Sequence, residues 1–324
     1  MFNAAATLRV ALDSVVRQSL RDWECIVVDD GSEDGSLEIA ERRAAEDTRF
    51  VVIRRPHRGI VSTLADGLIV CRGRFVARID ADDIMLRRRL ELQARCLHAA
   101  PTWSAVGCHV RMFPRRLLSD GLRAYERWLN SIDSPKRVAA ESFVECPLAH
   151  PTLFARRDVL QRVGYRHVDW PEDYDLVLRL LAEGREVGVV PQRLVCWRDH
   201  PERLWRRDRR YSIESISDCK ADFLARGFLA KSSDFVLWGY GDTGKALAKR
   251  LVARGKRVSH IVELHPGRIG QTIAGAPVIT PEHLSGVRRR PLIVSVAGAG
   301  PRGEIRDALG KLGFVELRDY VCAA

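Results

Sequence analysis

The sequence predicts an α/β protein in two parts, a doubly wound mixed sheet followed by a smaller α/β domain. Short apolar runs, Cys25–Val28, Phe50–Ile53 and Phe75–Ile79, alternate with segments of helical period. Acidic clusters, Asp29-Asp30 and Asp80-Ala81-Asp82-Asp83, stand at the carboxyl ends of two of these runs, where open parallel sheets gather their functional groups. A fresh strand–turn–helix pattern opens at Phe235, and 324 residues suit two domains with real cores.

Taken in order, Leu8, Leu12, Val15 and Val16 form one apolar face of an opening helix, and the strand Cys25–Val28 follows Trp23. A charged helix over Leu37–Ala45, the strand Phe50–Ile53, a helix near Ile60–Cys71 and the strand Phe75–Ile79 come next. The pattern is irregular from Pro101 to Pro151, after which Arg157–Val163 and Asp173–Ala182 read as helices. The charged stretch Glu202–Leu229 reads as a helix burying Trp205, Ile213, Ile216 and Phe223. Lys231-Ser232-Ser233 then punctuates the chain, so the domains are expected at 1–231 and 232–324. The second is expected to fold independently and to be dispensable for chemistry.

Composition narrows the function. With 46% hydrophobic and 29% charged residues the chain is not a disordered one. Its apolar runs fall far short of the ~20 residues of a membrane span, and the N-terminus lacks the basic-then-apolar order of a secretory signal. Eight cysteines are scattered without a C-x-x-C pair, as reduced thiols are. These features predict a cytoplasmic protein. The net charge of +11 comes from 46 Arg and 7 Lys, a bias that nucleotide composition alone can produce. Arg87-Arg88-Arg89 and Arg288-Arg289-Arg290 carry no interleaved aromatic residues, so nucleic acid is not the expected partner. A basic surface favours anionic ligands such as sugar nucleotides, or peripheral contact with the inner face of an anionic membrane.

Asp80, Asp82 and Asp83 concentrate negative charge that a divalent cation would offset, and hard carboxylate oxygens suit Mg²⁺ or Mn²⁺. The same residues could instead cap a helix starting near Met85. Glu172-Asp173 has the same two readings, a catalytic pair or the acidic start of a helix. The motifs together resemble family 2 glycosyltransferases. Asn3, Val27-Val28-Asp29-Asp30-Gly31-Ser32-Glu33-Asp34 and Ala77-Arg78-Ile79-Asp80-Ala81-Asp82-Asp83 occur in that family's order. Cys146–Thr152 is similar to its loop before the acceptor helix, Pro171–Leu176 to its catalytic E-D segment and Trp197-Arg198-Asp199-His200-Pro201 to its R-x-H tail. The resemblance covers about residues 1–225.

It implies a GT-A type sheet and an inverting, metal-dependent transfer from a nucleotide-sugar donor to a glycan or lipid-linked acceptor, in surface or extracellular polysaccharide synthesis. Asn3, Asp29, Asp30 and Asp80 would then bind the donor. Asp82, Asp80 and His200 would hold the metal and diphosphate. Asp173 would be the general base, with Glu172 as the substitute assignment, and His150 would shape the acceptor loop. Where relatives carry Arg-Asn this chain has Ala65-Asp66, which removes a basic contact to the diphosphate that Arg72, Arg74 or Arg78 would have to replace. The family's first buried strand is also absent before Asn3, which implies a natural start some 8 to 15 residues upstream.

In the second part, Gly239-Tyr240-Gly241-Asp242-Thr243-Gly244 follows a strand and opens a helix, the context of a phosphate-binding turn. Glu263 ends the next strand, where a ribose contact would sit, so Gly239, Gly241, Gly244 and Glu263 form a candidate second nucleotide site. The segment resembles the small Rossmann-like domains of some sugar O-acyltransferases, in which such a turn also serves packing alone. NAD(P) is not expected. The competing reading of the whole chain is a catalytically inactive first domain with a nucleotide-binding or regulatory function in the second.

Overall fold

The computed structural model describes the whole chain, Met1–Ala324. It divides into two compact units, one of residues 1–138, 148–168 and 172–203, the other of 139–147, 169–171 and 204–324. Helix α1 (Ala5–Val16) buries Leu8, Ala11, Leu12 and Val15, the face its spacing predicts. Strand β1 (Cys25–Asp29), α2 (Ser36–Glu46), β2 (Phe50–Arg54) and α3 (Ile60–Val70) follow. Then come β3 (Phe75–Ala77), β4 (Ile84–Met85), α4 (Arg89–Ala99), β5 (Trp103–Phe113), α5 (Asp120–Leu129) and α6 (Pro135–Glu141). After them β6 (Phe154–Arg156), α7 (Arg157–Val163), α8 (Glu172–Ala182) and β7 (Glu186–Arg198) complete the first unit, which holds α6 only as far as Val138.

Its mixed sheet has the order β3-β6-β5-β7-β4, and β1 pairs only with β2, in parallel register from Cys25↔Phe50 to Asp29↔Arg54. Strand β5 lies in the stretch whose pattern reads as irregular. Ser104 to Cys108 are all buried, so no polar/apolar alternation marks the strand. A cavity of about 840 Å³ is lined from β1 by Ile26 and Val28, from β3 by Phe75 and Ala77, and from α3 and α4 by Leu68 and Ala94, with Glu24, Arg49, Arg74 and Arg78 also in its wall. Met1 reaches its rim as a single strand residue. Its ammonium donates to the Val28 carbonyl at 2.5 Å and its carbonyl accepts from the Asp30 amide at 2.9 Å, the two bonds of a parallel bridge to Asp29.

The second unit contains α9 (Leu204–Arg207), α10 (Ile213–Arg226), β8 (Asp234–Trp238), α11 (Asp242–Val252), β9 (Arg257–Val262), β10 (Thr272–Ile273), β11 (Ala276–Ile279), β12 (Leu292–Val294), α12 (Ala299–Lys311) and β13 (Tyr320–Cys322). Its sheet runs β10-β11-β9-β8-β12-β13, parallel except for the β10–β11 pair. Helix α10 belongs here rather than before residue 231, because Ala221 and Leu224 share a core with Phe235, Leu247 and Leu251. The single helix expected over 202–229 is broken into pieces, and Trp205 (40%) and Ile213 (77%) are exposed rather than buried. Residues 139–147 are built into this unit. Glu141 accepts from Arg306 Nη1 at 2.8 Å, and Lys220 Nζ donates to the Val144 carbonyl at 2.7 Å.

Candidate active site

The first acidic cluster folds its own loop. Asp30, 3% exposed, accepts from the Arg58 and Gly59 amides at 3.0 and 2.8 Å, lies 3.3 Å from Arg55 Nε as an ion pair, and meets His57 Nδ1 through its backbone carbonyl at 3.0 Å. Asp29 is buried and faces the Ser32 amide. Asn3 takes a left-handed φ of 47°, accepts from the Glu33 amide at 2.9 Å and gives its own amide to Ser32 Oγ at 3.0 Å. Three of the four expected donor ligands, Asn3, Asp29 and Asp30, are therefore tied into one loop that they shape.

The second cluster is more strained electrostatically. Ligand atoms of Asp80, Asp82 and Asp83 lie within 4.8 Å of one another. Burial, and then the neighbouring carboxylates, raise the Asp82 pKa and raise that of Asp83 well above the ordinary range. Asp83 does not cap a helix, since α4 begins at Arg89. Its Oδ1 instead accepts from the Arg198 amide at 2.7 Å, while its buried Oδ2 has no hydrogen-bond partner. His200 Nε2 lies 3.1 Å from Asp82 Oδ2, which brings the tail motif to the cluster. An orphaned buried oxygen among three carboxylates is a donor set that fits a hard divalent cation.

Glu172 and Asp173 open α8, so the helix-start reading of these acids is structurally correct. They differ in access. Glu172 is fully buried, with Oε1 3.7 Å from His150 Nδ1, whereas Asp173 is half-buried at the helix start. His150 bonds the Tyr165 hydroxyl at 3.0 Å, and burial, with the Arg78 charge, depresses its pKa well below the usual imidazole value. The two acidic groups converge on shared neighbours. Glu172, Asp173 and Asp80 all push the Tyr165 phenol upward, secondary to its burial, and Asp80, Asp83 and Glu172 all stabilise the Arg78 cation.

Asp66, at the expected basic position, is ion-paired with Arg55. Of the possible replacements, Arg72 is exposed on Glu24, Arg74 stacks over Phe75, and Arg78 alone enters the site, on Asp80. Tyr165 was not legible as a site residue, because nothing local distinguishes it from any loop tyrosine.

The profile of glycosyl transferase family 2 matches residues 1–164, half of the chain. The protein belongs to this family. Among family relatives, the Bacillus subtilis protein named glycosyltransferase EpsE is 30% identical over 221 residues, covering 66% of this chain and 76% of the relative. The amylovoran biosynthesis glycosyltransferase AmsE of Erwinia amylovora is 29% identical over 190 residues, 58% of this chain and 69% of the relative. Staphylococcus aureus TarS, solved with UDP-GlcNAc, superposes with a TM-score of 0.55 at 14% identity, over 78% of this chain and 69% of its own. The Pyrobaculum calidifontis mannosyltransferase PcManGT, solved with GDP-Man and Mn²⁺, gives 0.51 at 20% identity, over 79% and 67%. At those identities the likeness is one of fold, and the fold is of the GT-A type.

In the second unit the glycine turn closes on itself. Gly239 has φ +91°, and a Cβ on Gly244 would meet the Gly239 carbonyl oxygen at 2.4 Å. Glu263 Oε1 accepts from the Tyr240 amide at 3.3 Å and from Arg268 at 3.0 Å, so the expected ribose ligand ties the turn. Gly241 has open space above it.

Proposed function

We propose that the protein is an inverting, metal-dependent hexosyltransferase that moves a sugar from a nucleotide-sugar donor to a hydroxyl of a glycan or lipid-linked acceptor in polysaccharide synthesis. The observation that carries this reading is the occurrence, in one unit, of an acidic cluster containing an orphaned buried oxygen and a half-buried carboxylate at the start of α8. Asp173 accepts the acceptor's hydroxyl proton as that oxygen bonds to the anomeric carbon. The bond to the diphosphate breaks on the opposite face, so configuration inverts. Glu172, enclosed beside His150, orients the helix start rather than meeting the acceptor. The loop built by Asn3, Asp29 and Asp30 walls the base and ribose. A divalent cation, Mg²⁺ or Mn²⁺, would be held at the Asp80–Asp83 cluster with His200 beside it, and supplies charge neutralisation to the leaving diphosphate. The glycine turn of the second unit serves packing, since its carboxylate and its close approach are internal.

The reading is tested by sugar-nucleotide hydrolysis over a small panel of uridine and guanosine donors, with Mn²⁺ and with chelator. Metal-dependent cleavage of at least one donor is expected, and Asp173→Asn should cut transfer by about 10²–10⁴-fold while donor binding persists. Near-normal turnover in that variant removes Asp173 as the base; no cleavage of any donor favours the inactive-domain reading.

A further inference from the structure

The three carboxylates of the acidic cluster are not equivalent. Arg78 makes a bidentate pair with Asp80, Nη1 donating to Oδ2 at 2.6 Å and Nη2 meeting Oδ1. Asp82 has an imidazole beside one oxygen, and Asp83 keeps an oxygen with no partner at all. Arg78 itself cannot drift. Its amide donates to the Leu153 carbonyl at 2.9 Å, its carbonyl accepts from the enclosed Arg89 guanidinium at 2.8 Å, and its own side chain is 10% exposed. A cation approaching Asp80 must break a poorly solvated ion pair and sit beside a positive charge, whereas at Asp83 it meets an unsatisfied oxygen.

We propose that Arg78 is a built-in counter-ion that withholds Asp80 from the divalent cation, leaving Asp82 and Asp83 as the metal's protein carboxylates. The inference rests on the metal-dependent reading above and makes Arg78 a positioning residue. With two carboxylates, the protein alone binds the cation weakly, and firm binding needs the oxygens that a diphosphate adds.

Mn²⁺ titration of the full chain, followed by calorimetry or by the spin-resonance signal of free Mn²⁺ and without donor, tests this. In the native protein Asp83→Asn is expected to weaken Mn²⁺ affinity by about tenfold or more. Arg78→Met should tighten Mn²⁺ by about tenfold or more, as loss of a neighbouring like charge implies, and the Arg78→Met, Asp80→Asn double variant should revert. The double variant restores the local charge balance, so native-like Mn²⁺ affinity in it also shows that the site remains folded. Equal Mn²⁺ affinity with and without Arg78, or a double variant that binds Mn²⁺ about tenfold or more weaker than the native protein, overturns the Arg78 assignment alone. Absence of Mn²⁺ binding in every protein, with UDP added as well as without it, overturns the metal reading and this inference with it.

Discussion

Residue scale is where the site's pH response is set. His150 is enclosed, with Tyr165 on one side and Glu172 on the other, and burial holds it neutral well below its ordinary pKa of 6.5. The unfolded chain therefore takes up a proton at His150 before the folded one does. Stability from this residue is fully present above pH 6.5 and is lost as pH falls below it, with a slope of up to about 1.4 kcal/mol per pH unit. Denaturant titrations at pH 7.5 and pH 5 should show the native protein weakening by that route and His150→Gln weakening less. Identical profiles would mean that His150 is not a buried neutral group.

Among the elements, α6 shows how a short helix is anchored. Glu141 ends it with a side chain 0% exposed, between Arg306 at 2.8 Å and Arg302 at 3.7 Å, and Arg302 is itself 5% exposed. Removing one member of a buried pair strands the other, which typically costs about 3–5 kcal/mol, so Glu141→Ala should lower the melting temperature of the second unit sharply. Glu141→Gln, which keeps an acceptor, should cost less. Both partners of Glu141 lie beyond residue 231, so a chain cut near residue 230 loses them, against the expectation that residues 232–324 are dispensable. A truncated chain with native stability and activity would restore that expectation.

At the scale of the whole first unit, the notable fact is that β1 and β2 stand as a separate two-stranded sheet beside the five-stranded one. The cavity lined by β1 and β3 is mostly apolar, and the Met1–Asp29 bridge already sets a parallel register at its rim. A five-residue Val/Ile-rich extension fused before Met1 should pair along β1 and fill the cavity. At about 1.5–3 kcal/mol per buried aliphatic side chain, it should raise the melting temperature by roughly 5–10 °C. A Gly/Ser extension of equal length should not. Equal melting curves for the two fusions would show that the cavity does not accept a strand.

Local patterning was enough for the α/β class, the order of β1, β2 and β3, and the positions of both acidic clusters, because an apolar run ended by aspartates is a local signal. It also placed Arg78 two residues before Asp80, on the same side of an extended chain, which was the available sign of their pairing. Tertiary structure alone decided the rest. Strand β5 was hidden because burial on both faces erases alternation, and β7 because Pro191, Gln192 and Arg193 interrupt its apolar run. The unit boundary was hidden because the partners of Glu141 lie more than 160 positions away along the chain. Which aspartate has a free oxygen was settled by Arg198, 115 positions from Asp83, bonding one of its oxygens and leaving the other. Local pattern reveals which residue types stand together, but only packing across the chain decides which of their atoms are already engaged.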